Sequence, residues 1–124
     1  MIIEFDAEGV EVILSSWGII TISFYAEENY LTIQQPVDKT EGMNVPPAPN
    51  SYHIERDDQS YGEYGGVESV TLSRDSIAVV LDSIGQEHLQ CESVIARFET
   101  DDETYRSLTE KLEYIFGDSF TVTG

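Results

Sequence analysis

Positive charge is what this chain has least of: six Lys and Arg stand against 24 Asp and Glu, a formal net charge of −18 in 124 residues. Nucleic acid and anionic membranes are bound by clustered Lys and Arg, so neither is expected as a direct ligand. Cysteine is almost missing. Cys91 stands alone, which excludes an internal disulfide and a cysteine-built zinc site, and it reads as a small buried hydrophobe. No apolar run approaches the roughly 18 residues that a membrane-spanning helix needs. The opening Met1-Ile2-Ile3-Glu4-Phe5-Asp6 carries acids where a secretory signal carries bases, so the expected compartment is the cytosol. Histidine is limited to His53 and His88, and proline to the stretch from Pro36 to Pro49.

What remains is enough for a core. Hydrophobic residues make up 40% of the chain, with seven Tyr, five Phe and one Trp, and residues 1–124 are expected to form one domain. A chain of this size buries roughly two thirds of its unfolded surface. The acids then spread over about 6,700 Å², about one net charge per 370 Å², so an evenly charged footprint of about 800 Å² would hold about two. Steering of a basic partner therefore needs the acids to cluster, as they do at Asp57-Asp58 and at Glu99, Asp101, Asp102 and Glu103. The alternative is a solvated, aggregation-resistant surface, or adaptation to salt.

Period-two alternation dominates the first two thirds. Val10 to Leu14 reads as a strand, and Ile20-Thr21-Ile22-Ser23-Phe24 and Tyr30-Leu31-Thr32-Ile33-Gln34 as a hairpin about Ala26–Asn29 with its Ile, Phe and Leu inward. Pro36 to Pro49 reads as a long irregular loop, unable to join a central sheet. Strands are expected at 52–55, 67–72, 77–81, 94–98 and 120–122, with His53 pointing away from the core. Helical spacing appears once. Tyr105, Leu108, Leu112, Ile115 and Phe116 form one stripe, with Gly117 placed to end it. Thr100-Asp101-Asp102-Glu103 before it fits a Thr-x-x-Glu capping box. The expected fold class is α+β: a mostly antiparallel β-sheet with one C-terminal amphipathic helix packed on a face.

Catalytic constellations are not found in the sequence. No Cys–His or Ser–His–Asp set has local support, Ser119 lacks the second glycine of a nucleophile elbow, and Gly62 to Gly66 has no Lys for a phosphate cradle. Counted from Asp57, Gly62 and Glu68 fall at positions 6 and 12 of a calcium loop, but Tyr61 sits where an oxygen ligand belongs. No enzymatic activity, metal or cofactor is expected.

The unusual stretch is Tyr52 to Val67. It concentrates Tyr52, Tyr61 and Tyr64 with Glu55, Asp57, Asp58 and Glu63, and it ends in Gly65-Gly66. Rigid aromatics beside carboxylates suit a protein-binding surface that accepts Lys or Arg. Glu55, Asp57, Asp58, Tyr61, Glu63 and Tyr64 are therefore the candidate partner-binding residues. The competing reading is a hairpin tip whose tyrosines pack locally.

The run Ser51-Tyr52-His53-Ile54-Glu55-Arg56-Asp57-Asp58-Gln59-Ser60-Tyr61-Gly62-Glu63-Tyr64-Gly65-Gly66-Val67, followed by Val70-Thr71-Leu72 and Arg74-Asp75-Ser76, resembles the immunity protein 10 family of bacterial polymorphic toxin systems. The resemblance implies a small cytosolic, non-enzymatic protein that binds and neutralises a cognate toxin domain; it names neither the toxin nor the binding residues. The acidity points to a partner with a basic surface, such as a nuclease whose groove holds phosphates. An acidic nucleic-acid mimic acting on another DNA- or RNA-binding protein is the alternative.

Overall fold

Alternating apolar residues lay down the strands of this computed structural model, which describes residues 1–123. In chain order they are β1 (Ile2–Asp6), β2 (Gly9–Leu14), β3 (Ile19–Tyr25), β4 (Tyr30–Pro36), β5 (His53–Arg56), β6 (Gly62–Tyr64), β7 (Val67–Leu72), β8 (Ser76–Leu81), β9 (Ser93–Arg97) and β10 (Phe120–Val122). Helix α1 (Ser83–Leu89) joins β8 to β9, and α2 (Asp102–Phe116) precedes β10.

The strands form two five-stranded sheets where the sequence suggests one. Sheet I has the order β1-β9-β8-β7-β10 and sheet II the order β2-β3-β4-β5-β6. Sheet II is antiparallel throughout, while β1 lies parallel to β9 and β10 parallel to β7 at the margins of sheet I. The chain crosses between sheets at two short links. The Ala7 N–H donates to the Arg97 carbonyl in sheet I, and the next N–H, of Glu8, donates to Tyr25 in sheet II. The return is made through Gly65 and Gly66, both at positive φ (77° and 89°), a conformation that costs glycine little. Side-chain alternation cannot reveal that switch, because both sheets show the same period.

The hairpin β3–β4 folds as its pattern dictates. Ile22 faces Ile33 and Phe24 faces Leu31 across the ladder, and these four with Ile20 are fully buried. Sheet I delivers Phe5, Val70, Leu72, Ile77, Val79, Leu81, Val94 and Ala96 to the same core. Phe24 packs against Phe98 with ring centroids 5.4 Å apart, and Cys91 is buried as a hydrophobe. Helix α2 contributes Leu108, Leu112, Ile115 and Phe116, and the Phe116 ring meets Tyr52 edge-on at 4.9 Å.

Three local expectations are corrected. The N-cap of α2 is Asp101, one residue past Thr100; its carboxylate accepts from the Thr104 N–H at 2.7 Å, a short acidic acceptor that fits the helix dipole better than a hydroxyl. Pro36 closes the central strand β4 opposite Ile19, and the irregular loop starts after it. Helix α1 has no counterpart in the sequence reading: it is seven residues long and carries Gly85 in its middle. An added Cβ on Gly85 would lie 2.1 Å from the Gly66 carbonyl oxygen, so this glycine lets α1 seat directly on the link between the sheets.

Candidate partner-binding surface

The stretch singled out by the sequence forms a hairpin on the margin of sheet II. β5 pairs with β6 in the register His53↔Tyr64 and Glu55↔Gly62, and residues 57–61 form its turn. Alternation along β5 buries Tyr52, Ile54 and Arg56 and turns His53 and Glu55 outward. Tyr52 is a core residue whose hydroxyl accepts the Val67 N–H at 2.9 Å.

The turn is organised around a buried cation. Arg56 is 7% exposed. Its Nε donates to the Leu89 carbonyl at 2.8 Å and an Nη to Gln90 at 3.4 Å, so the guanidinium satisfies the carbonyls left open at the end of α1. Another Nη reaches Asp57 at 3.2 Å, and the Tyr61 ring covers the guanidinium with its centroid 4.1 Å away. Tyr61 is thus a half-buried lid.

The carboxylates of the hairpin divide into two kinds. Asp57 sits at φ 62° and is fully occupied: Oδ1 accepts the Tyr30 N–H at 2.9 Å, and Oδ2 accepts from Asn29 and Arg56. It ties the β3–β4 turn to the hairpin. Glu55 accepts the Tyr30 hydroxyl; burial, and then that carboxylate, hold the Tyr30 phenol well above its ordinary range. Asp58 is exposed and stabilises the turn by accepting from the Ser60 N–H and Oγ, both at 2.9 Å, which lowers its carboxyl from the ordinary value. Glu63 turns towards α1, with Oε2 2.8 Å from His88 Nε2. Tyr64 is the exposed aromatic, 67% accessible, with His53 against its ring at 5.0 Å.

The structure therefore brings all six candidates to one margin of sheet II. Asp58 and Tyr64 face outward with Tyr61 behind them, and Glu63 lies on the opposite face against α1. Glu55 faces outward but is held by the Tyr30 hydroxyl, and Asp57 serves the turn. Three further residues join this surface: His53, His88 and, one helical turn before His88, the exposed Ile84. The pairing of Glu63 with His88 spans 25 positions and depends on a helix that the sequence reading lacked. The geometry does not form a calcium loop, since Gly62 begins β6 and the Asp57 oxygens are spent on Tyr30, Asn29 and Arg56.

The second acidic cluster is partly consumed by the fold. Asp101 caps α2, its carboxyl lowered by the Thr104 N–H, and Asp102 pairs with Arg74 at 2.9 Å. Over the 7045 Å² of accessible surface the chain carries about one net negative charge per 390 Å², so the hairpin margin is one of the places where acids do collect.

The model of a protein family described as Immunity protein 10 matches residues 18–106. This chain belongs to the immunity protein 10 family. Membership makes it an immunity protein, whose role is to neutralise a toxin. The matched span begins at the turn before β3 and ends in the second turn of α2, so it contains the whole hairpin margin and leaves out β1, β2 and β10. No curated protein and no solved structure matches the chain. Among the described residues, no helix is long and apolar enough to cross a membrane.

Proposed function

We propose that this immunity protein acts without catalysis, by setting the β5–β6 hairpin against the basic substrate groove of a nuclease toxin. The observation that carries this reading is Tyr64, a largely exposed aromatic on β6, with the exposed carboxylate of Asp58 in the adjoining turn of a chain of net charge −18. Tyrosine offers a large contact area at low entropic cost, and carboxylates beside it pair with Lys or Arg once water is excluded. A groove that binds phosphates must be rich in those bases. Glu55, Asp57 and the Arg56–Tyr61 stack support the reading from behind, because they hold the loop in one conformation and so reduce the ordering cost of binding.

The test uses the cognate toxin once it is identified. Adding the immunity protein should abolish the toxin's nuclease activity at a one-to-one ratio, and the association rate should fall as salt rises, since the Debye length at physiological ionic strength is about 8 Å. A toxin with no nuclease activity overturns the choice of target. A salt-independent association rate would assign the acidity to solubility alone.

A further inference from the structure

Among the described residues, sheet II ends in two strands with one free edge each, β6 and β2. β6 is only three residues long, as is β10 in sheet I, and shortness is one way in which folds blunt an edge. β2 is not blunted. It runs six residues, Gly9–Leu14, in continuous register with β3, and it contains no Pro, Lys or bulge. The Ser15 N–H donates to the Ile19 carbonyl, so the antiparallel alternation turns the N–H and C=O of Val10, Val12 and Leu14 away from β3.

The end of this strand is apolar and open. Ile13 is 48% exposed, Leu14 50% and Trp17 78%. Trp17 is nonetheless held on a fixed turn. Ser15 Oγ accepts the Ile19 N–H at 3.2 Å, the Ser15 carbonyl accepts the Gly18 N–H at 3.0 Å, and the Gly18 carbonyl accepts the Val37 N–H at 2.7 Å. Beside β2 runs a groove of about 420 Å³ shared with the first half of α2; Val10, Val12 and Ile13 line it, with Glu11 and Glu103 as its charged groups and no Lys or Arg.

We propose that the β2 edge takes up an extended, Lys- or Arg-bearing segment of the toxin as a sixth strand of sheet II, with Trp17 covering its end. Backbone N–H and C=O groups of β2 supply the pairing, the apolar groove takes alternate side chains, and Glu11 and Glu103 meet the bases. Charge selects the occupant: a second copy would set one surface of net charge −18 against another. This surface goes beyond the hairpin margin. It rests on the chain being a toxin-binding protein and not on which nuclease groove the hairpin meets.

The probe is a short, blocked peptide of alternating Lys and Val, added to the full-length protein. Trp17 is the chain's single tryptophan, so its fluorescence reports on this turn alone. The expected result is a blue shift of that emission, with amide exchange slowed about tenfold at nine-tenths saturation for Val10, Val12 and Leu14. Trp17→Ala should weaken peptide binding, followed by exchange, about tenfold. Val80→Ala, at an exposed position on the central strand of sheet I, should leave it unchanged. Equal binding of a peptide N-methylated at alternate residues, which cannot pair, would reduce the effect to bulk charge and overturn strand addition. Equal binding of a Glu–Val peptide would overturn the basic occupant, and a blue shift with protein concentration alone would install a second copy instead. Absence of any change at millimolar peptide, or protection at β6 in place of β2, removes the β2 site while leaving the hairpin proposal intact.

Discussion

Two hairpins lie next to each other in sheet II and are held together by opposite means. In β3–β4, the inward positions are apolar except Gln35 at the end of β4, whose amide donates to Ser51 and the Pro36 carbonyl, and Ile20, Ile22, Phe24, Leu31 and Ile33 lose all contact with water. In β5–β6, the central inward residue of the turn region is Arg56, kept in place by two helix carbonyls, one carboxylate and one aromatic face. The first hairpin rests mainly on burial, which is non-directional and tolerant of small shifts. The second needs each polar partner in position, because a buried charge that loses one is costly. The difference explains why the second hairpin can project tyrosines and carboxylates to solvent and still hold a fixed shape.

The largest effect should come from breaking the apolar side. Phe24→Ala removes a fully buried ring tilted against Phe98 and should cost about 3–5 kcal/mol in chemical denaturation. On the polar side, Arg56→Ala takes the cationic partner from Asp57 and the side-chain donor from the Leu89 carbonyl, and should cost about 3 kcal/mol. Asp57→Asn separates charge from geometry: asparagine accepts φ 62° and can keep the Tyr30 N–H bond, so a smaller loss is expected. If Arg56→Ala and Asp57→Asn add without coupling in a double-mutant cycle, the ion pair is not what holds the turn.

Gly85→Ala sharpens the comparison from beneath. In an exposed helix this change gains up to about 1 kcal/mol from propensity. Here the new methyl would meet the Gly66 carbonyl at 2.1 Å, so the sign should reverse and destabilise by about 2 kcal/mol. Because α1 supplies the carbonyls that hold Arg56, the variant should also loosen the hairpin turn, seen as faster amide exchange at Tyr61 and Gly62. A stabilised Gly85→Ala protein with an unchanged turn would mean that α1 does not clamp the link.

What was legible in the sequence follows the same division. Strands β2 to β4, the α2 stripe and its Gly117 ending are written in periodicity and end signals, and the structure matches them closely. The partition into two sheets was not legible, since β1 pairs with β9 across 91 positions (Ile2 with Ser93) and nothing local announces that contact. Helix α1 was missed because Gly85 weakens its propensity, although Asp82, whose carboxylate caps the Gly85 N–H, was an available start signal. The hairpin's composition drew attention to the right segment. It did not separate Asp57, whose oxygens are spent within the fold, from Asp58, whose side chain is open, because that distinction depends on Tyr30 and Asn29 in another hairpin.

The smallest effects on stability should come from the outward face of β5–β6, where the effect on binding should be greatest. Tyr64 is largely exposed and its backbone belongs to a short edge strand, so Tyr64→Ala should change the unfolding free energy by no more than about 0.5 kcal/mol. If Tyr64 is a central anchor on the toxin, the same variant should weaken binding by about 2 kcal/mol or more, roughly thirtyfold. Asp58→Asn keeps an acceptor for Ser60 and removes one exposed charge, so it should lower the association rate severalfold at low salt and leave dissociation nearly unchanged. Measuring melting temperature, association rate and dissociation rate on the same three proteins decides the matter. Tyr61→Ala is the internal contrast: its ring shields Arg56, so it should lose stability before it loses affinity. If Tyr64→Ala melts early with unaltered affinity, the outward face is part of the scaffold, and the contact lies on another margin of the sheet.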